Sequence, residues 1–177
     1  IVLEGTNTVT APNSGADTVF ANSYGIYAHG SGDLTELTIS GSGSLNASGG
    51  EVNANSYGIY SDMVTIESGT VMAAGGRSES MGVSAGIYSA YLTINGGNVF
   101  AIVGRTSGEG AFGILAAGDV TVTGGTVRAM GSDIYIVDGV APEYSSGIHS
   151  IGGDVTITGG AVQANGGAVE KYEGCQS

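Results

Sequence analysis

Residues 86–101 read GIYSAYLTINGGNVFA, and the same three-unit pattern recurs along the chain. The first unit is a Gly-Ile pair with the residue after it. The second is an apolar residue, a threonine and another apolar residue, and the third ends in alanine. Copies of the first unit begin at Gly25, Gly58, Gly86, Gly113 and Gly147. Since one copy cannot bury its own apolar side chains, such a repeat predicts stacked copies whose equivalent segments pair.

Each unit alternates apolar and polar residues with a period of two, which is typical of a short strand. The turn between the second and third units is rich in glycine, as in Asn95-Gly96-Gly97-Asn98, because a sharp corner needs a positive φ. We therefore predict an all-β fold, a right-handed parallel β-helix (solenoid) of about six coils with three short strands per coil. The right-handed form is favoured because the hexapeptide rhythm of left-handed β-helices is not visible.

We predict that the whole chain is one domain, residues 1–177. The expected coils lie near residues 1–22 (a partial copy), 23–55, 56–83, 84–110, 111–144 and 145–167, and residues 168–177 form a tail or the start of a next coil. In the partial copy, Ile1 and Leu3 are expected to occupy the second unit and Val9-Thr10-Ala11 the third. The core is predicted to consist of inward columns of equivalent residues, one residue from each full copy. The first column is Ile26, Ile59, Ile87, Ile114 and Ile148, and the second is Leu37, Val64, Leu92, Val120 and Val155. The other three are Ile39, Ile66, Ile94, Val122 and Ile157; Leu45, Val71, Val99, Val127 and Val162; and Ala47, Ala73, Ala101, Ala129 and Ala164.

Composition excludes several classes of protein. The chain has 34 glycines but only 2 prolines among 177 residues, which excludes collagen, and its 41% of hydrophobic residues exclude a disordered chain. Its net charge of −12 argues against binding to nucleic acid or to anionic membranes. Neither a membrane-spanning apolar run nor a signal peptide is visible. The chain opens at Ile1 inside an apolar pattern, so we expect it to be part of a longer protein.

An aromatic row is the main candidate for a binding site. If Ile26 points inward, Tyr27 points outward, because neighbours on a strand alternate. The same argument predicts an outer row of equivalent residues: Tyr27, Tyr60, Tyr88, Leu115 and His149. Exposed rings suit the apolar faces of sugars, and the glycines before them are expected to leave a groove beside the row. The alternative is that the tyrosines stack on one another and stabilise the fold.

The Gly-Ile-Tyr, Leu-Thr-Ile and Asn-Gly-Gly-x-Val pattern resembles glycine-rich repeats of bacterial cell-surface proteins, especially those of clostridia and other gut Firmicutes. It is also similar to the pectate-lyase-like β-helix family, which includes carbohydrate-binding modules and adhesins. The resemblance covers about residues 1–167. It implies the β-helix architecture and an extracellular or cell-surface location, but a shared fold does not by itself define an activity.

Two other functions find weaker support. The resemblance implies that a lyase would need clustered carboxylates for Ca²⁺ and a basic residue, and the nearest set is Asp133, Asp138 and Glu143 with Arg128. Calcium takes about six to eight oxygen ligands, so we interpret these acids as a solvated loop. A row of threonines from Thr38 to Thr156 resembles the flat faces of some ice-binding proteins, but Glu67 interrupts the row beside it.

The sequence thus predicts a non-catalytic module for adhesion or carbohydrate binding, with Tyr27, Tyr60, Tyr88 and His149 as candidate sugar contacts. The expected partner is a polysaccharide or a host or cell-surface glycan. We expect no catalytic residue, no metal site and no cofactor. A polysaccharide lyase and a purely structural stalk are the alternatives.

Overall fold

The computed structural model of the protein describes residues 1–13, 21–79, 82–136 and 144–171. These residues form seventeen β-strands and no helix. The strands are β1 (Val2–Leu3), β2 (Thr6–Thr10), β3 (Ser23–Ala28), β4 (Glu36–Gly41), β5 (Ser44–Ser48), β6 (Ser56–Ile66), β7 (Thr70–Gly75), β8 (Val83–Ile94), β9 (Asn98–Val103), β10 (Gly110–Ala116), β11 (Val120–Val122), β12 (Thr126–Met130), β13 (Ile134–Ile136), β14 (Tyr144–Ser150), β15 (Val155–Ile157), β16 (Ala161–Asn165) and β17 (Val169–Lys171).

The strands lie in two large parallel sheets and one small one. The first sheet has nine strands, with the central order β1-β4-β6-β8-β10-β14 and with β3, β11 and β15 at its sides. The second sheet has the order β16-β12-β9-β7-β5-β2, and β13 pairs with β17. Every pairing between named strands is parallel. The all-β class and the parallel pairing predicted from the repeat are therefore confirmed. The prediction of three short strands per coil is wrong at β6 and β8, because each of these strands runs without a break through both the first and the second unit.

The register places equivalent residues of successive repeats beside one another. Ile59 pairs with Ile26 on one side and with Ile87 on the other. The second and third units follow the same rule, with Thr65 beside Thr93 and Ala73 beside Ala101. The columns predicted from the five full copies are therefore present in both sheets.

The partial first copy lies two residues away from its predicted register. Leu3 pairs with Gly41 and Val9 with Ala47, whereas the pattern predicted Leu3 beside Ile39 and Val9 beside Leu45. A shift of two residues keeps every side chain on the same face of a strand. The alternation of apolar and polar residues could not distinguish these two registers.

Buried residues of both large sheets form one hydrophobic core. It contains the middle members of the predicted columns, among them Ile59, Ile87, Ile94, Val99 and Ala101, all fully buried. Each buried aliphatic side chain contributes about 1.5–3 kcal/mol to stability. The last described repeat differs, because its strands have a described neighbour on one side only. There Val155, Ile157 and Ala164, predicted to be buried, are exposed.

Buried serines connect the first sheet to the turns that follow the second sheet. Gly50 N–H donates to Ser23 Oγ (2.7 Å), and Ser56 Oγ donates to the Gly50 carbonyl (2.8 Å). Gly76 N–H then donates to Ser56 Oγ (2.8 Å). Each buried hydroxyl of this kind satisfies a turn amide or carbonyl that would otherwise be costly to bury.

The repeat glycines lie where the backbones of the two large sheets come close to each other. A Cβ on Gly86 would lie 2.7 Å from the Ala73 carbonyl oxygen and 2.7 Å from the Ile102 nitrogen, both in the second sheet. Gly58 and Gly113 face second-sheet backbone in the same way. A side chain at these glycines would be directed toward the second sheet and not toward the outer face. They therefore leave no gap on the outer face, and the external groove predicted beside the aromatic row is wrong.

Replacing Gly86 by alanine should lower the free energy of unfolding by about 1–3 kcal/mol, because the methyl group must push the two sheets apart. Gly32→Ala is the matched control, since a Cβ there meets nothing within 4 Å. Chemical denaturation followed by circular dichroism measures both. Equal stability of the Gly86 and Gly32 variants would contradict the close approach of the sheets.

Candidate site on the outer face of the first sheet

Three of the predicted tyrosines form a continuous column. Strands β3, β6 and β8 pair Tyr27 with Tyr60 and Tyr60 with Tyr88. The Tyr27 and Tyr60 ring centroids are 5.3 Å apart at 17°, and those of Tyr60 and Tyr88 are 4.8 Å apart at 8°. Tyr27 is 53% exposed, whereas Tyr60 and Tyr88 are half-buried. We call these three side chains the tyrosine column.

The predicted row does not continue as an exposed surface past Tyr88. Leu115, the next member by register, is only 5% exposed and packs in a small apolar cluster with Phe112. His149, the last member, lies with its ring 5.3 Å from Phe112 and 6.0 Å from Tyr144. The structure therefore brings together the three tyrosines and places His149 in a separate aromatic contact.

A second aromatic row lies beside the column, and the sequence pattern did not predict it. Tyr24 pairs with Tyr57, and their rings are 5.7 Å apart at 25°. Strict alternation would point Tyr24 inward with Ile26. Instead Gly25 and Ile26 both face the interior, so Tyr24 lies outside, with its ring centroid 4.7 Å from that of Tyr27. The signal that could have revealed this row is the aromatic residue immediately before several repeat glycines.

The hydroxyls of Tyr57 and Tyr60 stay protonated over the physiological pH range. Burial raises the pKa of Tyr57, which is 6% exposed, and the neighbouring tyrosines Tyr88, Tyr24 and Tyr60 raise it further. Burial also raises the pKa of Tyr60, with contributions from nearby tyrosines and from Asp62. These phenols therefore act as neutral hydrogen-bond donors and acceptors.

A carboxylate and an imidazole flank the column at its Tyr27 end. Asp62 Oδ2 accepts the Thr35 N–H at 3.0 Å, and Asp62 Oδ1 lies 2.5 Å from His29 Nδ1. The Thr35 N–H lowers the pKa of Asp62, and His29 and the Gly30 N–H lower it further against the opposing effect of desolvation. The His29 ring lies 6.0 Å from both Tyr27 and Tyr60.

The geometry limits what the column can contact. Because the rings stack face to face, their faces are largely covered by one another. Tyr60 and Tyr88 are half-buried, so a ligand would meet only the parts of these rings that stacking leaves uncovered, beside an anionic group. Only the end ring, Tyr27, has a large exposed surface.

The predicted acidic cluster is described only in part, and the side chains beside the threonine row bond to one another. Asp133 and Arg128 are exposed, whereas Asp138 and Glu143 lie outside the described residues. Within the described ranges, no group of three or more His, Cys, Asp or Glu side chains could hold a metal ion. Beside the threonine row, Asn95 Nδ2 donates to Glu67 Oε1 (3.0 Å) and Thr123 Oγ1 donates to Asn95 Oδ1 (2.8 Å), so these polar side chains bond to one another.

No family model, curated protein or solved structure shows a significant match to the chain. Nothing in the described part of the chain is a helix of the length and apolarity needed to span a membrane.

The Asp62 contacts predict a local acid transition. Because the pKa of Asp62 is lower in the folded protein than its ordinary value of 3.8, its hydrogen bonds stabilise the fold above that value and are lost as the pH falls through the folded pKa. We expect the Thr35 amide proton resonance to titrate with a midpoint below 3.8. The Asp62→Asn variant should lose this titration. Asp33→Asn, at an exposed position of the loop that contains Thr35, should keep it, and a midpoint above the ordinary value would refute the assignment.

Proposed function

We propose that the two large sheets are walls of a right-handed parallel β-helix, about six coils long, in a secreted or surface-attached bacterial protein. Three observations support this proposal. Equivalent residues pair between successive repeats, and both sheets contribute to one core. Positive φ occurs where each repeat passes from a first-sheet strand to the next second-sheet strand, at Gly41, Gly69, Gly97, Gly125 and Gly160. Glycine at such corners avoids steric strain.

We propose that this module binds a polysaccharide without catalysing its cleavage. The observation that supports this function best is the tyrosine column, in which three aligned rings that each carry a hydroxyl repeat at 4.8–5.3 Å. A polymer lying along the column could make the same weak contact at each repeat. Several weak contacts held on one scaffold act together, which raises the overall affinity.

Electrostatics favour a neutral glycan over a uronic acid polymer. The chain carries a net charge of −12, and the lowered pKa of Asp62 keeps a carboxylate beside the column. Both features repel anionic polymers and slow their association.

A structural spacer is the second candidate, and the ring stacking itself favours it. Stacked aromatic pairs contribute about 0.5–1.5 kcal/mol each beyond their buried area, so the column could serve to join the repeats. A lyase receives no comparable support from the described residues. The spacer and the binding module differ in one observable property, which is affinity for a glycan.

A triple variant, Tyr27→Phe, Tyr60→Phe and Tyr88→Phe, separates these two functions. Phenylalanine retains the stacked rings and removes only the hydroxyl row. If the module binds glycans through the column, affinity for a neutral polysaccharide should fall by at least about tenfold, which corresponds to ~1.4 kcal/mol. Glycan-array screening followed by affinity electrophoresis provides the measurement.

Tyr91→Phe is the matched control, because Tyr91 is an exposed tyrosine outside the column. Its affinity should equal that of the unaltered protein. If no polysaccharide on the array binds the unaltered protein, the binding function is refuted and the spacer stands. If the triple variant binds as well as the unaltered protein, the column is not the binding site.

A further inference from the structure

A cleft opens next to the tyrosine column, at the end of the first sheet where Tyr24 lies. Its volume is about 340 Å³, and its lining includes Pro12, Asn13, Asn22, Tyr24 and Val52. This volume falls in the range of small-molecule sites, about 300–1,000 Å³. Since the Tyr24 and Tyr27 ring centroids are 4.7 Å apart, a chain bound in the cleft could continue along the column.

Both asparagine side chains of the cleft are held by backbone amides. Glu51 N–H donates to Asn13 Oδ1 at 2.8 Å, and Asn55 N–H donates to Asn22 Oδ1 at 3.1 Å. Fixing the carbonyl oxygen also fixes the direction of the NH₂ group of the same side chain. Each asparagine therefore has its amide hydrogens pre-oriented before a ligand arrives.

The polar groups of the cleft are mainly donors. Asn22 Nδ2 donates one hydrogen to the Tyr24 hydroxyl at 3.0 Å, and the amide carries a second. The Tyr24 hydroxyl accepts that bond, so its own hydrogen can be directed to another acceptor. Among the described residues that line the cleft, none has an acidic side chain. Such a site suits a ligand rich in acceptor oxygens.

The apolar residues of the lining indicate that the ligand also carries an apolar group. Pro12, Val52 and the Tyr24 ring provide hydrocarbon surface beside the amide donors. An acetamido group combines a carbonyl acceptor with a methyl group, and so matches both kinds of surface. A carboxylate would also accept hydrogen bonds, but the charge of −12 on the chain disfavours it.

We propose that this cleft binds an N-acetylated sugar residue of a neutral glycan. The Asn13 and Asn22 amides donate to the acetamido carbonyl and to sugar hydroxyl oxygens, and the acetyl methyl packs against Pro12, Val52 and Tyr24. This inference rests on the proposed glycan-binding function and specifies the sugar class and its position.

Calorimetric titration with three disaccharides tests the proposal. N,N′-diacetylchitobiose carries the acetamido groups, cellobiose has the same linkage without them, and digalacturonate carries carboxylates. We expect N,N′-diacetylchitobiose to bind at least about tenfold more tightly than either of the others, since a site built to hydrogen-bond a group rejects ligands that lack it.

Isosteric Asn13→Asp and Asn22→Asp variants keep an oxygen for the Glu51 and Asn55 amides and remove the NH₂ donors. Each should weaken N,N′-diacetylchitobiose binding by at least about tenfold. Asn98→Asp makes the same change at an exposed site in the second sheet and should leave binding unaltered. Unchanged melting temperatures confirm that all three variants fold.

Equal affinity for cellobiose and N,N′-diacetylchitobiose, or no loss in the Asn13 and Asn22 variants, would overturn the assignment of the cleft. If a polysaccharide binds through the tyrosine column while N,N′-diacetylchitobiose does not bind, the cleft proposal fails and the general function stands. If N,N′-diacetylchitobiose binding depends on Asn22 but the triple phenylalanine variant behaves normally, the cleft is supported and the column is not.

Discussion

Parallel hydrogen bonding between equivalent segments of successive repeats is the constraint on which the other features depend. It aligns Ile59 with Ile26 and Ile87 in the core and, on the outer face, Tyr60 with Tyr27 and Tyr88. Parallel pairing places equivalent outward residues of successive repeats beside one another, so a tyrosine that recurs at the same position forms a stack of rings. The inward glycines serve the same alignment, because they let the second sheet approach the first closely enough to enclose one core.

Much of this arrangement could be predicted from the sequence, because period-two alternation and a fixed repeat together specify both face and partner. The prediction failed at two places where alternation and the repeat do not determine which way a residue faces or which residue it pairs with. At Gly25-Ile26 two consecutive residues face inward, so strict alternation concealed the row that contains Tyr24. In the incomplete first copy, a register shift of two residues left the alternation unchanged, and only the pairing of Leu3 with Gly41 and of Val9 with Ala47 revealed it.

The candidate site was predictable in its residues but not in its exposure or its neighbours. Alignment of the tyrosines follows from the repeat, whereas the burial of Leu115 and the contact of His149 with Phe112 depend on packing between loops and strands. Asp62 and His29 come together across two repeats through a loop that only one repeat possesses. The cleft likewise joins Asn13, Asn22 and Val52 from three separate segments. Such contacts are set by tertiary structure, and no local periodicity encodes them.

Disulfide trapping tests the alignment of the repeats most directly. In a Cys175→Ser background, Thr65→Cys and Thr93→Cys place two thiols on residues that pair across adjacent strands, within the Cα separation of about 4.4–6.8 Å that a disulfide requires. Thr65→Cys with Tyr91→Cys is the control, because those positions are offset by two residues in register. We predict rapid intramolecular oxidation of the first pair and little of the second. Equal oxidation of both pairs, or preferential oxidation of the second, would contradict the alignment of equivalent residues.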